Sequence, residues 1–216
     1  MSGFDRELLT GMLHEGLKFL PLSLSNEQVD KMIAYLALLS KWNSVYNLTS
    51  VRDPKEMVKQ HLLDSLSAAH AFKEAKNVLD VGSGGGLPGM ILAITYPQLR
   101  ISMIDTVSKK TAFLTQAKTE LGLSNVTVYT GRVEALVVEQ KFDVITSRAF
   151  SELCNFVNWS GHLLADGGQF LAMKGIAPNQ EIERLPAGWE MTRIEPLSVP
   201  GLDVERHLIY IKKIPA

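Results

Sequence analysis

The chain has 216 residues, a formal net charge of −1 and a hydrophobic content of 46%. This length fits one large domain, or one domain with a smaller extension, and the apolar content is ample for a buried core. The near-neutral charge gives no global attraction to nucleic acid, so contact with RNA would require a local basic patch. The single cysteine, Cys154, excludes a disulfide framework and a cysteine zinc cluster.

Neither a signal peptide nor a membrane span is expected. Near its start the chain carries Asp5, Arg6 and Glu7, where a leader would have a basic segment followed by a long apolar run. No apolar stretch is long enough to span a bilayer. The histidines show no metal-ligand spacing with acids or thiols. We therefore expect a cytoplasmic protein without a metal.

Residues 1–72 are predicted to form a helical cap. Apolar residues recur at helical spacing near the start of the chain. Ser25 and Gln28 match a capping box at the start of a second helix, and Asp53 followed by proline is a strong helix-start signal. No strand pattern occurs before Asn77.

From Asn77 onward, strand and helix patterns alternate, which indicates a parallel α/β sheet. Asp166-Gly167-Gly168 is predicted as a turn before the fifth strand, and Ser198–Gly201 as the turn of a closing antiparallel hairpin. Helices are predicted after Pro88 and over Ser108–Leu121, Glu152–Leu164 and Pro178–Leu185. The predicted strands are Asn77–Val81, Arg100–Ile104, Val126–Tyr129, Phe142–Thr146, Gln169–Met173, Trp189–Leu197 and His207–Ile214.

The stretch Val78–Gly89 is the motif around which the chain is organised. A short apolar strand runs into the sequence Gly-Ser-Gly-Gly-Gly-Leu-Pro-Gly, and a helical pattern follows. Glycine permits positive φ and close approach of a ligand, and a helix N-terminus attracts polar ligand groups. The motif therefore predicts a nucleotide pocket at the carboxyl edge of the sheet.

Two cofactors compete for this pocket. Gly84 to Gly89 fits the dinucleotide fingerprint G-x-G-x-x-G, but a dehydrogenase turn should begin directly after the strand, where this chain has Gly82. Asp80 lies two residues before that glycine, and a carboxylate there suits a ligand with an ammonium group and no pyrophosphate. The pattern resembles motif I of S-adenosylmethionine methyltransferases. An ordinary glycine-rich turn is the remaining alternative.

The motif and the closing hairpin together favour an α/β, Rossmann-like, seven-stranded class I methyltransferase sheet over a dehydrogenase domain. In this interpretation residues 1–72 are an N-terminal helical extension. Residues 73–216 form the domain that binds S-adenosylmethionine.

Two further strand ends are candidates for binding the nucleoside. Asp105 ends the second strand, roughly 20 residues past the glycine turn, where a carboxylate can accept hydrogen bonds from both ribose hydroxyls. The alternative role of Asp105 is to cap a helix. Val133 and Glu134 follow the third strand and are placed to read the adenine edge, although a glutamate there would also stabilise a helix N-terminus.

The fourth strand ends in Ser147-Arg148-Ala149-Phe150, where methyltransferases address the acceptor. The Asn/Asp-Pro-Pro-aromatic tetrad of amino-group methylases is absent. Arg148 cannot accept a proton at neutral pH, but it can position a carboxylate, a phosphate or a purine carbonyl. This favours an acceptor that needs no general base, with Arg148 as the positioning candidate and Phe150 as a stacking surface.

Other strand ends supply candidates for substrate binding. Lys174 ends the fifth strand, and Arg206 and His207 open the last one. The alternative for Lys174 is an ordinary solvated side chain, and the alternative for His207 is a packed side chain. The helix that carries His61 and Asp64 also carries basic residues, so it would present a basic face to RNA or an ordinary charged surface.

Five blocks carry a resemblance to a known family. The blocks are Trp42–Ser50 (Trp-Asn-Ser-Val-Tyr-Asn-Leu-Thr-Ser), His61–Ser65, the glycine turn with Leu87-Pro88-Gly89, Ser147–Phe150 and Glu205–His207. In this order along nearly the whole chain, they closely resemble the bacterial 16S ribosomal RNA guanine-N7 methyltransferases of the glucose-inhibited division protein B family.

The resemblance implies methyl transfer from S-adenosylmethionine to N7 of a guanine in the decoding-region loop of the rRNA. The implied partner is 16S rRNA or the small ribosomal subunit, and nothing demands more than a monomer. One departure is Gly85, where many relatives carry proline. The implied cofactor contacts are Gly82, Leu87, Val133, Glu134 and Arg148.

Two rival functions remain at this point. A small-molecule methyltransferase would fit the same sheet and would use the helical N-terminus as a lid. A non-catalytic nucleotide sensor would use the same pocket without transferring a methyl group.

Overall fold

The fold, described over residues 3–215 of a computed structural model, is built on seven strands. The strands are β1 (Asn77–Val81), β2 (Arg100–Asp105), β3 (Val126–Thr130), β4 (Phe142–Arg148), β5 (Leu164–Lys174), β6 (Trp189–Pro196) and β7 (His207–Lys213). They form one sheet in the order β3-β2-β1-β4-β5-β7-β6, in which β1 to β5 are parallel and β7 is antiparallel to both neighbours. The expected seven-stranded sheet with a closing hairpin is confirmed.

Helices cover the sheet and precede it. The third helix, α3, spans residues 54–67 and contains a π-helical segment, Val58–Leu63, between two α-helical turns. No helix within residues 3–215 has the length and apolar character needed to cross a membrane. The other helices are α1 (Arg6–Leu17), α2 (Asn26–Tyr46), α4 (Gly89–Thr95), α5 (Ser108–Glu120), α6 (Leu153–Ser160) and α7 (Asn179–Glu183).

Two predicted turns are wrong in their extent. The Asp166-Gly167-Gly168 turn lies inside β5, where the pairing of β5 with β4 shifts register and Gly167 has a φ of 75°. A bulge of this kind bends a strand without ending it, because glycine adopts positive φ at little cost. The predicted turn Ser198–Gly201 is only part of a ten-residue connection, residues 197–206, between β6 and β7.

The helices before β1 share one hydrophobic core with the sheet. Side chains from α1 and α2 pack in the same cluster as side chains from α4, α5 and β2. A second cluster lies on the opposite face of the sheet, between α6 and strands that include β7 of the closing hairpin. The helical cap therefore packs in one hydrophobic core with the sheet. The domain boundary between residues 72 and 73 stays a prediction from the sequence. Buried members of the shared cluster include Leu9, Leu13, Ile33, Leu36, Leu92, Ile101 and Phe113.

Helix α2 is bonded to the chain around the glycine turn at two points. The hydroxyl of the fully buried Tyr35 donates to the Gly85 carbonyl at 2.5 Å, and burial raises the pKa of Tyr35. The predicted capping box of Ser25 and Gln28 is present, and the Gln28 amide also donates to the Ile94 carbonyl at 2.9 Å, at the end of α4. These bonds fix the position of the cap relative to the turn.

Tyr35→Phe is expected to destabilise the fold, since it leaves the buried Gly85 carbonyl without its donor. The expected loss in the free energy of unfolding is about 1–3 kcal/mol. Urea denaturation followed by circular dichroism measures it. Tyr46→Phe, at the exposed end of the same helix, is the matched control and should change the free energy by less than about 0.5 kcal/mol. Equal stabilities for the two variants would contradict the role of the Tyr35 hydroxyl.

Candidate active site

The glycine turn follows β1 with a backbone that only glycine adopts readily. Gly82, Gly84 and Gly86 have φ values of 68°, 57° and 94°. A Cβ atom on Gly82 would overlap the ring of Phe150, and one on Gly86 would lie 2.6 Å from Cγ of Met90. The turn therefore needs glycine at Gly82 and Gly86 for space as well as for conformation, and Phe150 lies directly against it.

A first cavity of about 440 Å³ opens beside this turn at the carboxyl edge of the sheet. The structure brings five sequence candidates together there, although they come from four different strand ends. Those five are Gly82, Asp105, Val133, Glu134 and Phe150.

Asp105 is held at the rim of the first cavity by backbone donors. Its Oδ1 accepts from the Val107 N–H at 2.9 Å, and its Oδ2 accepts from the Gly84 N–H at 3.0 Å. Lys110 Nζ lies 3.5 Å from Oδ2. A carboxylate has about four lone-pair sites, so Asp105 retains capacity for a ligand hydroxyl. Both roles considered from the sequence, ribose acceptor and local cap, are compatible with this geometry.

Val133 and Glu134 lie in a 3-10 turn, Val133–Ala135, on the far side of the first cavity. The Arg132 guanidinium donates to Glu134 Oε1 at 3.0 Å. Hydrogen bonds from its own backbone N–H and from Arg132 hold the pKa of Glu134 below its ordinary value, so this carboxylate is ionised at neutral pH. The negative edge of the cavity can accept a hydrogen bond from an exocyclic amino group.

Asp80 lies beneath the turn with no exposed surface. Its Oδ2 accepts from the Gly89 N–H at 2.8 Å, whereas its Oδ1 has no hydrogen-bond partner among residues 3–215. Burial raises the pKa of Asp80 to about 7, against the opposing effect of the Gly89 N–H. A buried acceptor left unpaired costs about 1–3 kcal/mol and calls for a functional explanation.

These features test whether the turn fits S-adenosylmethionine. The glycines leave open the space that side chains would fill, Asp105 offers oxygens to a ribose, and Asp80 has a buried carboxyl oxygen without a partner among residues 3–215 beneath the turn. That space and set of acceptors suit a nucleoside. The residues present therefore fit the cofactor.

A second cavity of about 390 Å³ adjoins the first. Ala149, whose φ is 52°, lines both cavities, so the bend at the end of β4 separates them. Among the residues the structure describes, no three His, Cys, Asp or Glu side chains are grouped as metal ligands. The polar lining residues of the second cavity are Thr49, Ser50, Gln60, His61, Asp64, Arg148, Lys174 and Arg206.

Asp64 joins three segments around the second cavity. This carboxylate is 1% exposed, and it accepts from Arg148 Nη1 at 2.9 Å through Oδ2 and from Arg206 Nε at 2.8 Å through Oδ1. Arg148 also donates to the Gln60 carbonyl at 2.8 Å. Asp64 lies inside the protein, so the basic RNA-facing surface considered for α3 does not include it.

His61 is also buried, with 4% of its surface exposed. Its Nε2 lies 3.0 Å from the Thr49 hydroxyl, and its Nδ1 has no hydrogen-bond partner in the described part of the chain. Burial lowers the pKa of His61 to about 4, and the positive charge of Arg148 acts in the same direction. The ring is therefore neutral at pH 7.

Hydrogen bonds of Asn43 shape the loop at the end of the block Trp42–Ser50, which carries Thr49. The Asn43 side chain accepts from the Thr49 N–H at 2.9 Å and donates to the Val51 carbonyl at 3.2 Å. These bonds fold the loop after α2 so that the Thr49 hydroxyl reaches His61. Sequence reasoning quoted the block but did not identify Thr49, Gln60 or Asp64 as residues of the site.

The remaining candidates lie around the second cavity or away from both. Lys174 Nζ donates to Glu181 at 2.8 Å and to the Ser151 carbonyl at 2.8 Å, so its charge is paired. His207 Nδ1 lies 2.7 Å from the Gly175 carbonyl. Leu87 is 5% exposed, belongs to the shared hydrophobic core, and lines neither cavity.

Solved methyltransferase structures share this fold at low sequence identity. The glycopeptide N-methyltransferase MtfA complexed with sinefungin superposes with a TM-score of 0.61 and 11% identity, over 72% of this chain and 87% of that chain. TrmN from Thermus thermophilus gives a TM-score of 0.55 and 17% identity, over 73% of this chain and 53% of that chain. These matches show that the sheet is a class I methyltransferase fold.

Curated relatives are far more similar. A ribosomal RNA small subunit methyltransferase G from Janthinobacterium sp. (strain Marseille) is 63% identical over 99% of each chain. The protein of that name from Herminiimonas arsenicoxydans is 62% identical over 99% of this chain and 100% of its own length. The model of the GidB family, described as rRNA small subunit methyltransferase G, matches residues 28–209. The chain therefore belongs to the rRNA small subunit methyltransferase G family.

Proposed function

We propose that this protein transfers the methyl group of S-adenosylmethionine to N7 of a guanine in the decoding-region loop of 16S rRNA. Family membership supports methyl transfer to the rRNA of the small subunit. One observation carries the finer proposal: the cavity beside the glycine turn adjoins a second cavity whose groups include no general base. The pKa of His61 is lowered to about 4, so its ring is a weak base, and both oxygens of Asp64 already accept hydrogen bonds from arginines.

Guanine N7 fits a site of this kind because it carries an exposed lone pair and needs no deprotonation. The bound cofactor supplies a methyl group activated by its sulfonium. The task of the protein is then to hold the two reactants in line, with about 3 Å between the reacting atoms. We assign this positioning to Arg148 and name no residue as a general base.

The cofactor contacts are assigned to the first cavity and its rim. Asp105 would accept hydrogen bonds from the ribose, and the segment Val133-Glu134 would contact the adenine edge. Gly82 provides the close approach and Leu87 supports the turn from the core. Arg148, at the wall of the adjoining cavity, is assigned to the cofactor's carboxylate or to the purine.

The target nucleotide is assigned to the second cavity and the strand ends beside it. Phe150 lines the first cavity next to Ala149 and packs edge-on against Trp159 with ring centroids 5.8 Å apart. We assign it as the stacking surface for a base that reaches the boundary between the two cavities. Lys174, Arg206 and His207 lie at the ends of β5 and β7 and would contact the RNA.

The proposal includes the setting in which the protein acts. Its partner would be the small ribosomal subunit or its 16S rRNA. The protein would act as a monomer in the cytoplasm, without a metal.

Incubation with labelled S-adenosylmethionine tests the proposed activity. Small subunits, naked 16S rRNA and small molecules are offered in parallel, and the labelled nucleotide is mapped by strand cleavage at N7-methylguanine. We expect label in a single guanine of the rRNA. Label in a small molecule alone would support the rival methyltransferase, and binding of the donor without transfer would support the sensor.

Arg148→Ala is expected to lower turnover strongly while the fold remains intact. Misplacement of reacting groups by about 1 Å can cost about 100-fold in rate, and we expect a loss of about that size. Methyl transfer to small subunits is the readout, with circular dichroism to confirm folding. Arg100→Ala, at the opposite end of the sheet, is the control and should retain activity. Unchanged turnover in Arg148→Ala would reject its positioning role.

Gly82→Ala is expected to weaken cofactor binding at least tenfold, because the new methyl group would displace Phe150 at the cavity. Gly122→Ala is a closely matched control, since Gly122 has a φ of 65° but no atom within 4 Å of its Cβ position. Both substitutions strain the backbone by about 1–2 kcal/mol. Calorimetry with S-adenosylmethionine should therefore show a loss of affinity only for Gly82→Ala, and equal affinities would contradict the assignment of this turn.

A further inference from the structure

We propose that Trp159 is a cofactor-binding residue whose indole packs against the adenine ring of S-adenosylmethionine. This inference rests on the proposed function and deepens it, because it names a side chain that holds the base of the cofactor. It depends on three features of Trp159: its place in the wall of the first cavity, its nearness to the turn assigned to adenine, and its contact with a neighbouring aromatic ring.

Trp159 is the tryptophan that lines the first cavity. The other two tryptophans of the chain, Trp42 and Trp189, line neither cavity. The side chain of Trp159 is half-buried, so part of the indole faces the open space. Trp159 does not line the second cavity, whereas Ala149 lines both. The indole is therefore available to the cofactor and lies apart from the proposed acceptor cavity.

Trp159 belongs to the part of the first cavity that is assigned to adenine. Helix α6, which carries Trp159, packs against the 3-10 turn that contains Val133 and Glu134. Trp159 and Val133 pack in the same hydrophobic cluster. Just past the end of α6, His162 Nε2 lies 3.2 Å from the Leu136 carbonyl, which joins the same two segments. A base whose edge meets Glu134 would therefore have the indole of Trp159 as an apolar neighbour.

A neighbouring aromatic ring supports the indole. Trp159 packs edge-on against Phe150, with ring centroids 5.8 Å apart and an interplanar angle of 81°. Phe150 also packs edge-on against Phe156 at 6.2 Å and lies against Gly82 of the glycine turn. Tryptophan has only two side-chain torsions, so holding its ring in one place costs little entropy. The indole is thus in position before the cofactor binds, which favours affinity.

Trp189 provides a matched control for Trp159. Both side chains are half-buried and pack against the same hydrophobic cluster. Trp189 also lies edge-on to a phenylalanine, Phe170, with ring centroids 5.2 Å apart, but it belongs to the edge strand β6. Trp159→Ala and Trp189→Ala therefore remove the same ring from one cluster, and only the first alters the wall of the first cavity.

The experiment measures the binding of two ligands and requires no RNA. Calorimetry gives the affinities for S-adenosylhomocysteine and for methylthioadenosine, which share adenosine and differ in the amino-acid portion. The full chain is also labelled with 5-fluorotryptophan, and each fluorine resonance is assigned by replacing one tryptophan at a time with phenylalanine. Circular dichroism confirms that every variant is folded.

We expect Trp159→Ala to weaken the binding of both ligands about tenfold, which corresponds to about 1.4 kcal/mol. This effect lies within the range for one base that stacks on an aromatic side chain. Trp159→Phe should lose less than about threefold, because it keeps an aromatic ring, and Trp189→Ala should stay within about twofold of the unsubstituted protein. Either ligand should shift the fluorine resonance of Trp159 and leave that of Trp189 in place.

Three results would overturn the proposal. They are unchanged affinities in Trp159→Ala, equal losses in Trp159→Ala and Trp189→Ala, and a fluorine resonance of Trp159 that does not respond to either ligand. A loss confined to S-adenosylhomocysteine would also contradict it, because the indole would then act on the amino-acid portion. A protein that binds both ligands through Trp159 but methylates no rRNA would contradict the proposed function alone.

Discussion

The second cavity depends on one buried carboxylate. Asp64 in α3 accepts from Arg148 at the end of β4 and from Arg206 just before β7, and only 1% of it is exposed. Loss of one arginine leaves the other to compensate the buried carboxylate, whereas loss of Asp64 would leave both guanidinium groups without this acceptor. The three segments are therefore held together around the cavity, and the wall opposite the strand ends belongs to the N-terminal cap.

The cap contacts the first cavity as well, through the hydrogen bond from Tyr35 to the carbonyl of Gly85 in the glycine turn. Both halves of the site thus rely on helices that precede the sheet in sequence. Those helices share a continuous hydrophobic core with it. This packing argues against the rival interpretation of the cap as a lid, since a lid must separate from the sheet to open.

The sequence allowed most of the sheet to be located, because alternating apolar runs and the glycine turn are local signals. Sequence-based prediction failed where the structure depends on how strands pair or on side chains that are distant in the sequence. The Asp166–Gly168 segment has the composition of a turn, yet its pairing with β4 makes it a bulge inside β5. Asp64 could not be recognised as an ion-pair centre, because its partners Arg148 and Arg206 lie 84 and 142 residues away. The candidates at the strand ends could be predicted to lie together, because the carboxyl ends of parallel strands meet at one edge of the sheet.

The central claim is that donor and acceptor occupy the two cavities that meet at Ala149. A crystal structure of the protein with S-adenosylhomocysteine tests this most directly. The account predicts adenosine in the first cavity, with its ribose on Asp105, its adenine beside Glu134 and its sulfur directed toward Ala149. Adenosine bound in the second cavity, or away from the glycine turn, would contradict the account.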